Sequence, residues 1–216
     1  MIRYSSLLLI VFSLLFKNGE AQYAQDTLQQ KKEFLSLEEA LKNPENVYRL
    51  NLSEQDVQIS DTIWSKFTKL EYLSLKNDHL KQIPAGLGEL KSLKVLDLSG
   101  NDFKVLPTSF RNLSNLQELY INDDKNFELE KNIPILSQLP KLTSLHLEND
   151  GLKSLPINTA SLAQIESLYL NNNEFKQLPV ELNSLEHLKY LDFHDNKYRI
   201  SPKEIENKNF GFKITF

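Results

Sequence analysis

Leucine recurs along this chain at a fixed stride. Aligned on the first aliphatic residue of each unit, seven units begin at Val47, Leu70, Leu93, Leu116, Leu142, Ile165 and Leu188. The intervals are 23, 23, 23, 26, 23 and 23 residues. Positions one, four and six of each unit are aliphatic or nearly so, as in Leu70, Leu73 and Leu75 or Leu142, Leu145 and Leu147. Position nine is Gln55, Asp78, Asn101, Asp124, Asp150, Asn173 and Asn196. An aliphatic–proline pair follows at Ile83-Pro84, Leu106-Pro107, Leu155-Pro156 and Leu178-Pro179. A period of this length dominates every other signal, because no unit can bury its own apolar face and successive units must stack.

The spacing dictates local structure. Positions four and six alternate with polar residues, which is the period of a strand with one buried face. One strand per unit then pairs in parallel with the next. At position nine the chain must turn, and a short Asn or Asp side chain bonds backbone groups inside that turn. Asn donates and accepts, whereas ionised Asp only accepts. Asp78, Asp124 and Asp150 are therefore expected to leave some carbonyls to water. The proline stiffens the start of the convex segment. Leu87, Leu90, Phe110, Leu113, Leu182 and Leu185 complete the core from that side.

These in-phase units resemble leucine-rich repeat proteins of the 23-residue type with a Leu-Pro step. That type is similar to the Ras-group or SHOC-like repeats and to many exported bacterial repeat proteins. The resemblance implies an α/β solenoid: a horseshoe of seven repeats with a parallel sheet on its concave face and a short N-terminal capping helix. It also implies a non-enzymatic recognition module that binds a protein or peptide on that face, outside the cytoplasm. The alternative it leaves open is surface adhesion or glycan binding, which aromatic and acidic side chains on one face would also serve.

Five segments are expected. Residues 1–21 read as a secretory signal, with Arg3, the apolar run Leu7–Phe16, and small residues at Gly19 and Ala21. That run is about half of the roughly twenty residues a spanning helix needs, and no second one follows, so no stable membrane span is expected after cleavage. Residues 22–33 form a polar linker. Residues 34–46 form the capping helix, about seven residues long, opened by a Ser36–Glu39 capping box and ended by Pro44. Residues 47–210 carry the repeats, and 211–216 a closing strand. The fourth unit is three residues longer than its neighbours, and its polar stretch 122–126 suggests a protruding loop: either a binding rim or a tolerated surface insertion.

Composition removes several function classes. With no cysteine there is no disulfide scaffold, thiol nucleophile or thiolate metal site. A net charge of −4 argues against a nucleic-acid partner. His146 and His194 lie two repeats apart, about 10 Å by strand spacing, too far to share one metal. No cofactor is expected, because Gly86-x-Gly88 lies in a convex segment and makes no phosphate loop. An open sheet face gives a Ser-His-Asp set no way to exclude water.

The candidate site comes from the exposed strand columns. Column five brings Tyr120, His146 and Tyr169 onto three adjacent units, flanked by the acidic Glu118 and Glu148. Asp192 and His194 extend the row on one side, and Tyr72 and Tyr190 stand in column three. Tyrosines are favoured interface anchors, with large area at low entropic cost. The same row would also serve simply to stack and stabilise the sheet.

Overall fold

The computed structural model describes residues 31–56, 60–198 and 211–216. The export signal read at 1–21 and most of the 22–33 linker lie outside the described residues. Each repeat supplies one three-residue strand at its positions three to five: β2 (Arg49–Asn51), β3 (Tyr72–Ser74), β4 (Val95–Asp97), β5 (Glu118–Tyr120), β6 (Ser144–His146), β7 (Ser167–Tyr169) and β8 (Tyr190–Asp192). Two further strands, β1 (Glu33–Phe34) and β9 (Lys213–Thr215), flank them. Among the described residues these form one open parallel sheet of nine strands, in chain order.

Register follows the repeat. Leu50 pairs with Leu73, Leu73 with Leu96, and so on through Leu119, Leu145, Leu168 and Leu191. Every one of these position-four leucines is buried, as are those at positions one and six. Each burial contributes about 1.5–3 kcal/mol. Trp64 and Phe67 fill the core of the first repeat.

The convex side is built mostly from 3-10 turns. In four units a proline precedes the turn, at Ala85–Glu89, Thr108–Asn112, Ile157–Ser161 and Val180–Ser184. The fourth repeat differs: there α2 (Leu129–Leu136), with Pro134 inside it, takes the place of the turn. The three extra residues are thus absorbed on the convex side and do not form a loop at the strand exit. Asp123 makes the same left-handed turn as its counterparts, with φ 61° against 57° at Asn77, 59° at Asn149 and 58° at Asn172. Position eight takes that conformation in every repeat, and Asn, Asp or Gly fills it in all but the first, where Glu54 stands at φ 64°.

The N-terminal end departs from the expected helix. The α-helical part, α1 (Leu37–Ala40), is a single turn, with the Ser36 hydroxyl accepting the Glu39 N–H at 3.4 Å. Pro44 then opens a 3-10 turn (Pro44–Asn46) instead of ending a longer helix. Glu33 and Phe34, placed by the sequence at a linker–helix junction, extend the sheet instead. Phe34 packs on the core, and the Glu33 carboxylate pairs with Arg49 at 2.8 Å.

The position-nine ladder works as an amide relay. Asn101 Oδ1 accepts the N–H groups of Asp78 and Leu80, while its Nδ2 donates to the carbonyls of Leu75 and Leu98. Asn173 repeats the pattern one stride on. The aspartates keep the accepting half: Asp78 Oδ1 takes the Gln55 N–H, and Asp150 Oδ1 takes the Asp124 N–H. Their Oδ2 atoms, and that of Asp124, are buried without a partner where an asparagine would donate. Burial pushes the Asp124 carboxyl up to about 6 and the Asp150 carboxyl up to about 8. Protonation of such a carboxyl restores the missing donor, and burial favours it most at Asp150.

Candidate functional site

Strands β5, β6 and β7 each point their middle leucine inward and the residues on either side of it onto the open face. Register places Tyr120 beside His146 and His146 beside Tyr169. The three rings stack. Tyr120 and His146 centroids are 3.9 Å apart with planes at 21°, and His146 and Tyr169 are 4.0 Å apart at 6°. Column three makes this possible by being small there: Ser144 and Ser167 are buried under the row.

His146 is itself buried, with 4% of its surface exposed. Its Nε2 lies 3.1 Å from Glu118 Oε1 and its Nδ1 lies 3.3 Å from Glu148 Oε1. Tyr120 donates its hydroxyl proton to the same Glu118 oxygen at 2.6 Å. With a carboxylate at each nitrogen, the surroundings favour the imidazolium, in which both nitrogens donate. Burial alone would lower the His146 pKa, but the hydrogen bonds to Glu118 and Glu148 outweigh it and raise it. Burial and the Glu118 carboxylate raise the Tyr120 phenol, and burial with Glu118 raises that of Tyr169.

Ser144 Oγ also lies 3.3 Å from His146 Nε2, so Ser144, His146 and Glu148 have the connectivity of a nucleophile, base and orienter. The chemistry does not follow. Glu118 occupies the nitrogen that would have to take the serine's proton, and the serine is buried.

The other candidate residues fall into two places. Tyr190, Asp192 and His194 continue the cluster: Tyr169 and Tyr190 rings meet at 5.5 Å, and His194 Nδ1 lies 2.5 Å from Asp192 Oδ1. The Tyr190 hydroxyl also reaches Asp192 and Thr215 on β9. Tyr72 stands apart, two strands from β5. There the Arg49 guanidinium lies 4.1 Å above its ring, and burial pushes its phenol up to about 12. Arg49, Ser144 and Ser167 were not singled out from the sequence. The small serines facing large column-five rings were a readable sign that those rings lean over them.

Among the described residues, no group of three or more His, Cys, Asp or Glu could hold a metal ion, and no helix is long and apolar enough to cross a membrane.

Comparison with known proteins follows the same lines. The family described as leucine-rich repeat region matches residues 46–150. No curated protein matches significantly by sequence. Among solved structures, the Toll–Spatzle complex of Drosophila is similar at 17% identity and a TM-score of 0.62, over 70% of this chain and 20% of that one. An internalin of Listeria monocytogenes, inlF, is similar at 21% identity and a TM-score of 0.56, over 78% of this chain and 47% of that one. Internalin C2 of the same organism is similar at 27% identity and a TM-score of 0.51, over 80% of this chain and 74% of that one. The chain thus spans less than half the length of the first two. The stride of the leucines, the family match over residues 46–150 and the neighbouring folds agree on a leucine-rich repeat solenoid.

Proposed function

We propose that the chain is a non-catalytic module that binds a protein or peptide on the concave face of its sheet, after export from the cytoplasm. The observation that carries this reading is the rigid polar and aromatic cluster around His146. A buried imidazolium, two carboxylates and two stacked tyrosines fix side-chain edges on the face before any partner arrives. Preorganised groups of this kind lose little entropy on binding. The Toll structure, held in a complex with Spatzle, supports use of the fold for protein recognition. Sugar stacking is less well supported, because both faces of the His146 ring and one face of each neighbouring tyrosine are covered.

A photoreactive amino acid placed in the native cell tests the reading. Replacing Asp97 or Asn171 on the concave side should trap one partner protein, and replacing the convex Ile157 should not. Cross-links formed only from the convex position would refute it. Finding Gln22 at the terminus of the mature protein would test export separately.

A further inference from the structure

The concave face does not account for an open groove of about 750 Å³ on the flank of the second to fourth repeats. Its floor is apolar: Ile83, Leu106 and Pro107, with Val105 left 48% exposed. Lys81 and Lys104 also line it. The groove arises where the stride breaks. Elsewhere the chain just past the ladder residue bonds back to the preceding unit, as Asp102 N–H does to the Leu80 carbonyl and Glu174 N–H to that of Leu152. In the longer fourth repeat the corresponding bond slips along the chain, and Glu128 N–H reaches the Lys104 carbonyl. The buried Asn132 of α2 then pins the same segment, donating to the Lys104 carbonyl and accepting the Leu106 N–H. Asn126, in the polar stretch after β5, also lines the groove.

Charge singles this groove out. The chain carries −4 overall, and the concave face presents Asp97, Glu118, Glu148 and Asp192. Here the sign reverses. Among the described residues neither Lys81 nor Lys104 has a carboxylate within ion-pair distance. The carboxylate that senses Lys104, that of Glu128, is engaged by Lys131. Asp102 lines the groove too and leaves its net charge positive. Two unpaired ammonium groups beside the half-exposed Val105 match a ligand with carboxylates on both sides of an apolar side chain. The volume falls within the roughly 300–1,000 Å³ typical of ligand pockets.

We propose that this flank groove is a second binding site, for an acidic peptide segment carrying an aliphatic or aromatic side chain between its carboxylates. It is independent of the concave-face reading. The test is a fluorescence-polarisation titration of the full chain with a fluorescein-labelled Glu-Leu-Glu peptide amide at low salt. Saturable binding is expected, weakened at least tenfold by Lys81→Glu with Lys104→Glu, weakened by Val105→Asp, and unchanged by Lys76→Glu on the sheet face. The two lysines are exposed, so the double variant should keep the circular dichroism of the parent. No saturable binding, or binding that survives the double substitution, would overturn the proposal. Equal binding of Glu-Leu-Glu and Glu-Ser-Glu would overturn it too, since charge alone would then explain the contact.

Discussion

The imidazole of His146 lies parallel to the phenol ring of Tyr169, with centroids 4.0 Å apart and planes 6° apart. Stacking at that distance places a cation against a π face, and Tyr120 covers the other side. The buried charge is tolerated because Glu118 and Glu148 pair with it from opposite edges. Removing it should therefore cost more than the loss of one ring. His146→Ala leaves two part-buried carboxylates facing a cavity and should destabilise the fold by about 3–5 kcal/mol. Urea unfolding monitored by circular dichroism measures this, and a loss below about 1 kcal/mol would mean that the ion pairs contribute nothing net.

His146 and Asp150 both make stability fall with rising pH. The His146 pKa is raised above its ordinary 6.5, so its contribution is complete below that value and is lost as pH climbs through the higher folded-state value. Asp150 moves the same way: burial raises it from 3.8 to about 8, so the fold favours its protonated form and the benefit drains away up to that pH. The melting temperature should drop by about 5 °C between pH 6 and pH 9. A flat profile over that range would contradict both assignments.

Asp150→Asn separates them. The amide would donate permanently to the Ile121 and Leu147 carbonyls, as Asn173 Nδ2 does to Leu147 and Leu170. At pH 9 the variant should be more stable than the parent by about 1–2 kcal/mol, and the gain should shrink by pH 5. The same substitution at Asp124, which burial holds at about 6, should show its gain at a lower pH. Denaturation curves of each variant at three pH values give the comparison, and equal offsets at all three would sink the protonated-ladder account.

Asn132 anchors the irregular repeat. It is fully buried, donates to the Lys104 and Glu128 carbonyls and accepts the Leu106 N–H at 2.7 Å. Asn132→Leu keeps the volume but orphans these backbone groups, and should cost about 3 kcal/mol. Hydrogen exchange at the Leu106 amide should accelerate well beyond that at Leu168 in the regular part of the sheet. Equal acceleration would indicate that the two regions unfold as one unit.

The column of buried leucines was legible in the sequence because burial at positions one, four and six follows from strand period and stacking alone. So was the turn at position nine. The fate of His146 was not. A residue on an exposed column can lean sideways, and whether it does depends on the size of its neighbours one stride away. Here Ser144 and Ser167 made room, and Glu118 and Glu148 drew the ring down between them. The first strand was hidden for another reason: Glu33 and Phe34 lie before the repeat begins, so no periodicity announces them, and pairing with β2, the ion pair with Arg49 and the packing of Phe34 on the core place them in the sheet. The extra residues of the fourth repeat were visible as a count. Their destination was not, because the polar stretch at 122–126 drew attention to the wrong side of the unit.

Parallel strands in strict register mean that the residue touching Tyr72 from across the sheet is Arg49, twenty-three positions earlier, not a neighbour in the chain. A protein organised in this way keeps its grammar in columns. Compensating substitutions for damage at one site should be sought a whole stride upstream or downstream, and an engineered duplication would leave every column intact only if it copied a complete stride.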